Sequence, residues 1–288
     1  MEIFDKILQI FNNREISIFC WVIIFIIWSL TQKSIRKSAF GVIKTLFAYK
    51  ITIMILMMLI YISFFIILFY NIDIWDISIL KDTIYWTFGV AFIMLMNIND
   101  ASKNEHYFKQ TLLNSFKLII VIEFVTNLYV FNLFVELISL PIILFFVMIS
   151  AFTERKEEHK KVKQLSDSLF AIYAIIVLIF SIYHISKDLN GFISIYNLKS
   201  LLLSPILTIF FLPFVYMTAL FMTYESFLTR TKWILMENKK LFKTIKMKTF
   251  LSCRFNLRKI QIVSKKLHIY TTEDELTILN DLNLILKK

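Results

Sequence analysis

The chain has 288 residues, of which 58% are hydrophobic and 18% are charged, and its mean hydropathy is +0.70. Soluble domains carry roughly 25% charged residues, so this composition excludes a water-soluble fold and predicts an all-α polytopic membrane protein. The chain has only three Gly and two Cys, which excludes Gly-rich nucleotide-binding loops and a disulfide framework.

Seven apolar stretches approach the roughly 20 residues that a helix needs to cross a hydrocarbon core about 30 Å thick. In chain order, the predicted crossings cover residues 16–30, 51–70, 83–98, two helices within 118–152, 169–185 and 201–222. The stretch 118–152 is too long for one crossing, and Asn132, Glu136 and Pro141 near its middle predict a tight helical hairpin. Residues 1–13, which lead into the first crossing, have the apolar spacing of an amphipathic helix.

The distribution of basic residues predicts the orientation, because Lys and Arg in short loops stay on the cytoplasmic side. Successive connections between the predicted crossings, including the two termini, are assigned alternately to the two sides of the membrane. With this assignment 27 of the 32 Lys and Arg residues lie on one side and 5 on the other. The N-terminus precedes the first crossing on the poorly charged side, and the C-terminus follows the last crossing on the basic side. We therefore expect a multi-pass membrane protein with its N-terminus outside and its C-terminus in the cytoplasm. The bias toward Ile, Lys, Asn and Phe indicates an AT-rich bacterial genome, so the expected location is the bacterial inner membrane.

The composition predicts two domains, a transmembrane helical bundle over residues 1–222 and a basic cytoplasmic helical tail over residues 223–288. The tail contains no Gly or Pro, which favours helix throughout. One predicted amphipathic helix has apolar residues every three or four positions, at Leu257, Ile260, Val263, Leu267 and Tyr270. A capping box formed by Thr272 and Glu275 predicts the start of a terminal helix that packs against it.

Ten basic residues of the tail are the candidate binding residues. They are Lys239, Lys240, Lys243, Lys246, Lys248, Arg254, Arg258, Lys259, Lys265 and Lys266. One interpretation is a docking surface for an anionic cytosolic ligand such as a nucleotide or an oligonucleotide. The alternative is binding to anionic lipid headgroups, which attract each basic residue by roughly 1 kcal/mol.

The sequence lacks patterns that support catalysis. Its four histidines lie in separate loops or in the tail, and neither an HExxH motif nor a GxSxG elbow is present. We therefore predict no metal, no cofactor and no enzymatic activity.

Glu123 is the ionisable residue that lies well inside a predicted crossing, which makes it the candidate pore-lining residue. Asn127 follows one helical turn later on the same face, and Thr126 borders that face. The alternative is that Glu123 extends to the cytoplasmic interface, since Lys117 is only about two turns away. Pro205 and Pro213 predict a kink in the last crossing and are candidate gating residues; a static kink is the alternative.

These features predict a homo-oligomeric channel or pore in which a polar stripe from each subunit surrounds an axis. A non-catalytic membrane scaffold or anchor of a larger complex is one alternative, and its partner protein would be encoded nearby. A proton-coupled transporter, with Glu123 carrying the proton, is another alternative.

The seven predicted crossings, followed by the lysine-rich run from Lys232 to Lys266, resemble the membrane effectors of bacterial anti-phage defence systems of the Hailong and CBASS-like kind. The resemblance lies in this general plan and transfers no individual residue. It implies a pore that opens in response to a nucleotide or oligonucleotide signal made by a partner enzyme.

Overall fold

The computed structural model describes residues 11–104, 106–153, 159–235, 238–267 and 275–287. Within these ranges every regular element is helical, which confirms the predicted all-α class. Residues 1–10, which carry most of the predicted amphipathic helix, and Thr272 of the predicted capping box lie outside the described residues.

The α-helices are, in chain order, α1 (Asn13–Thr31), α2 (Lys33–Leu46), α3 (Tyr49–Asn71), α4 (Leu80–Trp86), α5 (Phe92–Met96), α6 (Ile98–Lys103), α7 (Tyr107–Asn114), α8 (Leu118–Leu128), α9 (Leu133–Thr153), α10 (Lys160–Lys187), α11 (Leu189–Phe192), α12 (Ile195–Ile234), α13 (Lys239–Cys253), α14 (Leu257–Lys266) and α15 (Glu275–Lys287). A 3₁₀ turn (Ile77–Ile79) precedes α4, and a π-helical turn (Thr87–Ala91) joins α4 to α5.

Six helical segments of the described chain are long and apolar enough to cross a membrane. They are Asn13–Thr31, Tyr49–Asn71, Ile77–Met96, Leu133–Thr153, Lys160–Lys187 and Ile195–Ile234. These segments match six of the seven predicted crossings in order and approximate position. The chain is therefore a multi-pass helical membrane protein.

The remaining predicted crossing corresponds to the short helix α8. The predicted break near Asn132 is present, because α8 ends at Leu128 and α9 begins at Leu133. Asn132 caps the new helix, since its side-chain oxygen accepts a hydrogen bond from the N–H of Val135 at 2.9 Å. Glu136 lies within α9, as does Pro141. With 11 residues, α8 rises only about 16 Å, roughly half the thickness of the hydrocarbon core.

The chain divides into two compact units. The first unit contains Met1–Met54 and Lys117–Leu201. In it α10 runs back along α9, with Ser150 bonded to Asp167 at one end of the pair and Ser181 bonded to the carbonyl of Tyr129 at the other. Helix α1 packs against α9, and α8 packs against α10. Of these four helices, α1, α9 and α10 are long and apolar enough to cross a membrane.

The second unit contains Ile55–Phe116 and Leu202–Lys288. Its membrane part comprises most of α3, the segment from Ile77 to Met96, and much of α12. The indole N–H of Trp86 donates to the Thr208 hydroxyl at 3.0 Å, and both side chains are buried. Since few polar groups lie in this apolar core, the hydrogen bond fixes the register of α4 against α12.

Helix α12 continues without interruption through the predicted domain boundary at residues 222 and 223. Its 40 residues extend about 60 Å, twice the thickness of the hydrocarbon core. Its second half is hydrogen-bonded to the turn between α13 and α14 and to α14. Helices α14 and α15 pack on each other as predicted, and α13 packs on both. Four residues of the predicted apolar stripe are buried, namely Leu257, Ile260, Val263 and Leu267, and Tyr270 lies outside the described residues.

Candidate functional site

A groove of ≈ 1020 Å³ lies in the second unit, where the tail meets α12. Its walls come from the end of α13, the start of α14, Tyr216 of α12 and residues 104–108. The basic side chains that line it are those of Arg254, Arg258, Lys259 and His106. No carboxylate occurs among the described lining residues, and Glu105 lies outside them. The described part of the groove is therefore suited to an anion.

The turn between α13 and α14 gives the groove its shape. Arg254 follows the last residue of α13 and has a φ of 43°, a left-handed value that non-glycine residues rarely adopt. The side chain of Asn256 then caps α14 by accepting a hydrogen bond from the backbone N–H of Lys259 at 3.0 Å. The first turn of α14, which carries a partial positive charge, consequently forms part of the wall next to Arg258 and Lys259.

Two tyrosines of α12 fix this turn to a membrane helix. The Tyr216 hydroxyl donates to the carbonyl of Phe255 at 2.7 Å and accepts from the N–H of Leu257 at 3.1 Å. The Tyr224 hydroxyl donates to the carbonyl of Arg254 at 2.9 Å. All three bonds involve backbone groups of the turn, so the turn is attached directly to α12.

The opposite wall is joined to the end of the third apolar segment. The side-chain amide of Gln261 in α14 donates to the carbonyl of Ser102 in α6. The Phe108 ring packs edge-on against Tyr216, with 5.4 Å between the ring centroids. The groove thus lies between two elements that each lead directly into a membrane segment.

The titratable groups near the groove are shifted mainly by burial. Burial raises the pKa of the Cys253 thiol, and the nearby Lys259 ammonium opposes part of that shift. Burial also raises the pKa of Tyr107, with a smaller contribution in the same direction from Asp100 and an opposing one from its hydrogen bond to Thr111. Both groups stay protonated at neutral pH, so Cys253 is suited to packing and not to nucleophilic chemistry.

The ten predicted basic residues fall into separate groups. The members that line the groove are Arg254, Arg258 and Lys259. Four others, Lys239, Lys240, Lys243 and Lys246, are exposed along α13. Lys248 is half-buried and donates to the Asn283 side chain at 3.3 Å. Lys265 and Lys266 are exposed at the far end of α14. The structure therefore does not bring all ten together at one site.

A second polar cluster lies in the first unit, centred on an ion pair between Arg14 and Glu136. The Glu136 side chain is 0% exposed, and its two oxygens accept from Nε and Nη2 of Arg14 at 3.2 Å each. The remaining guanidinium nitrogen, Nη1, donates to the carbonyl of Thr126 at 3.0 Å and to Oδ1 of Asn127 at 3.1 Å. A buried charge of this kind requires such a fully bonded partner.

The ion pair joins three helix ends. A Glu136 oxygen also accepts from the backbone N–H of Phe131 at 3.1 Å, and the Asn13 amide donates to the Phe131 carbonyl at 3.0 Å. The start of α1, the end of α8 and the start of α9 are thereby held together. The backbone of Phe131, in the non-helical residues 129–132, receives its hydrogen bonds from this cluster.

Sequence reasoning missed the roles of Arg14 and Glu136. The available signal was Glu136 itself, an acidic residue in the first turn of a strongly apolar helix, where a charge requires a partner. Arg14 is the basic residue nearest to the first crossing. Their separation of 122 residues gave no sequence pattern that links them.

The predicted pore-lining residues lie on α8, and the structure gives them different surroundings. Glu123 and Asn127 are both exposed, one turn apart on one face. Thr126 is half-buried, and its hydroxyl donates to the Glu123 carbonyl at 3.1 Å. The Asn127 side chain is already bonded to Arg14, whereas the Glu123 carboxylate has no hydrogen bond or ion pair within the described part of the chain.

The two predicted gating prolines lie inside α12, which stays helical through both. Pro205 is buried and Pro213 is exposed. Pro213 removes the N–H that would bond the carbonyl of Ile209, and the Tyr61 hydroxyl donates to the neighbouring carbonyl of Phe210 at 2.9 Å. A side chain of α3 thus compensates for weakened backbone bonding near Pro213.

Comparisons with known proteins give no match, either to a protein-family profile, to a curated protein or to a solved structure. The chain's function therefore has to follow from its own residues.

Proposed function

We propose that the protein is a homo-oligomeric channel or pore of the bacterial inner membrane that opens in response to an anionic cytosolic ligand. The observation that supports a channel is the exposed Glu123 carboxylate on the apolar helix α8. A charged side chain surrounded by lipid costs roughly 3 kcal/mol, so it faces water or another protein surface. Several copies of α8 around a water-filled axis satisfy this requirement.

The proposed topology has seven crossings, with the N-terminus outside and the C-terminus in the cytoplasm. The ion pair between Arg14 and Glu136 supports it, because it holds the start of α1 and the start of α9 at the same membrane surface. The chain must then cross an even number of times between these residues. Helix α1, helix α3 and the segment Ile77–Met96 account for three crossings. A fourth is required, and α8 is the remaining apolar helix.

The dimensions of this fourth crossing are sufficient. Helix α8 contributes about 16 Å, and the four non-helical residues 129–132 contribute up to about 13 Å when extended. Together they approach the hydrocarbon thickness of about 30 Å. The Arg14 and Glu136 cluster supplies hydrogen bonds to the non-helical part, as a non-helical backbone at this depth requires.

Labelling of single introduced cysteines tests this topology. We expect membrane-impermeant maleimide to reach position 76 from outside intact spheroplasts, because Asp76 lies in the connection between α3 and α4. Positions 163 and 281 should react only after the membrane is permeabilised. The control is a cysteine at position 60, an exposed position within α3 that should stay unreactive in both cases. Labelling of position 281 in intact spheroplasts would contradict the proposal.

The exposed lysines of α13 support control by an anionic ligand. Lys239, Lys240, Lys243 and Lys246 form a basic surface on a helix that continues into the turn held by Tyr216 and Tyr224. A ligand bound to this surface would therefore act on α12. The resemblance to anti-phage effectors supports a nucleotide or oligonucleotide as the signal and a nucleotide-producing partner enzyme.

Flux from reconstituted liposomes tests the function. The purified full-length protein is reconstituted so that its proposed cytoplasmic tail faces the external solution. We expect these liposomes to release trapped K⁺ when a cyclic dinucleotide or a short oligonucleotide is added to that solution. Changing the four exposed α13 lysines to Gln should shift half-maximal release to at least tenfold higher ligand concentration, because each contact with a phosphate is electrostatic. Changing Lys265 and Lys266 to Gln is the control, because it lowers the positive charge of the tail away from the α13 surface and should leave half-maximal release unchanged. If the protein is inserted and oligomeric but no ligand causes release of K⁺, the result would favour the alternative of a non-catalytic membrane scaffold.

A further inference from the structure

We propose that the groove at Arg254 binds the headgroup of an anionic phospholipid in the leaflet next to the tail. The first argument is its height. Tyr216, which forms one wall, lies in the last two turns of the predicted crossing 201–222. Residues 104–108, which form another part of the wall, follow the end of the third apolar segment at Met96. The groove consequently lies near the boundary where both segments leave the membrane, at the level of the phosphate groups.

The second argument is an apolar rim beside the basic groove. Met247, Phe250, Leu251 and Phe255 are each at least 59% exposed. They belong to the end of α13 and the turn that Tyr216 and Tyr224 hold against α12. Four large apolar side chains on a cytoplasmic tail are unfavourable in water. At the membrane surface the same side chains enter the acyl region, as those of an interfacial helix do.

The third argument is the match between charge and position. Arg254 and Lys259 line the groove at the positive end of α14, so a phosphodiester can be bound by side-chain cations in a favourable helix field. Helix α13 then leads away from the membrane. Its lysines at positions 239 to 246 lie toward the end remote from the groove, which separates a lipid-binding set from a set available to soluble ligands.

Trp233, near the end of α12, lies farther from the membrane than the groove does. It lies 38 residues, or about 57 Å, along α12 from the start of the helix. The end of α13 is the part of the tail nearest to the membrane. The assignment of the leaflet follows the proposed orientation, whereas the groove and its height do not depend on channel activity.

Native mass spectrometry of the detergent-solubilised full-length protein tests the proposal. We expect phosphatidylglycerol to be retained at least tenfold more strongly than phosphatidylcholine. Changing Arg254 and Lys259 together to Gln should weaken retention of phosphatidylglycerol by roughly 30-fold, since two headgroup contacts are lost. Changing Lys265 and Lys266 to Gln removes the same charge from the tail outside the groove and should leave retention unchanged. Exchanging the cations as Arg254→Lys and Lys259→Arg should preserve most of the binding.

Three results would overturn the proposal. Equal retention by the Arg254→Gln, Lys259→Gln variant and the parent would show that the groove does not bind lipid phosphate. An equal loss in the Lys265→Gln, Lys266→Gln control would mean that only net charge matters. Displacement of phosphatidylglycerol by millimolar ATP but not by chloride at equal ionic strength would identify a soluble nucleotide as the preferred ligand. None of these results depends on ion flux, so failure here is distinguishable from failure of the channel proposal.

Discussion

Replacing Arg14 by Gln is expected to lower the melting temperature of the detergent-solubilised protein by roughly 10 °C. The change leaves Glu136, which is 0% exposed, without its cationic partner. Removing one member of a buried ion pair typically costs about 3–5 kcal/mol, because the remaining charge stays desolvated and unpaired. In a protein of this size each kcal/mol corresponds to roughly 2–4 °C. The ends of α1, α8 and α9 should loosen together, since Arg14 also binds Thr126 and Asn127.

The double change Arg14→Gln with Glu136→Gln separates charge from packing. Two neutral amides leave no buried charge, so we expect the double variant to be more stable than Arg14→Gln alone. Arg36→Gln is the matched control, because Arg36 is exposed on α2 and its loss should change stability by about 0.5 kcal/mol or less. Additive losses in the double variant, or an Arg14→Gln variant as stable as the Arg36→Gln control, would show that the ion pair does not hold the helix ends together.

Hydropathy alone was sufficient to predict most membrane helices. The stretch 51–70 became α3 (Tyr49–Asn71), and the predicted crossing 169–185 lies within α10 (Lys160–Lys187). A helix that spans lipid must bond its own backbone, so a long apolar run without Gly or Pro leaves few alternatives. The helix ends extend beyond the apolar runs because the flanking polar residues also favour helix.

The end of α12 was harder to predict because the apolar run ends near residue 222, whereas the helix continues beyond it. The composition changes near residue 223, but the following residues are still good helix formers, so α12 continues to Ile234. The apolar residues of the tail alternate with charged ones because α13, α14 and α15 pack on one another. Periodicity correctly identified Leu257, Ile260, Val263 and Leu267 as buried, because apolar spacing marks the buried face of a helix whichever helix covers it.

The groove and the ion pair could not be predicted, because each depends on residues far apart in the chain. The groove combines Asn104, Tyr216 and Arg254, and the ion pair joins residues 122 positions apart. Hydrophobic periodicity indicates which face of a helix is buried but not which helix covers it. Glu123 was identified correctly as a charged position within an apolar stretch, because the cost of burying a charge depends on its local surroundings.

Changing Glu123 to Gln is expected to lower the selectivity of the proposed channel for K⁺ over Cl⁻ by at least tenfold. In a symmetric oligomer the exposed carboxylates on α8 form a ring, with the Asn127 side chains about one 5.4 Å turn away. A carboxylate about 8 Å from a permeating cation contributes roughly 2 kcal/mol at an effective dielectric constant of about 20. Gln keeps the size of the side chain and removes this attraction, so reversal potentials in a KCl gradient should move toward zero.

Changing Glu123 to Lys replaces the negative charge of the ring by a positive charge. A ring of ammonium groups repels cations, so the reversal potential should pass through zero and the channel should favour Cl⁻. Asp281→Asn is the control, because it removes an acidic charge from an exposed position on the tail helix α15. Unchanged reversal potentials in both Glu123 variants would mean that the carboxylate does not face the conduction path. A lipid-soluble label that reacts at position 123 would then place the residue at the lipid surface, where Glu123 extends its carboxylate to the cytoplasmic interface near Lys117.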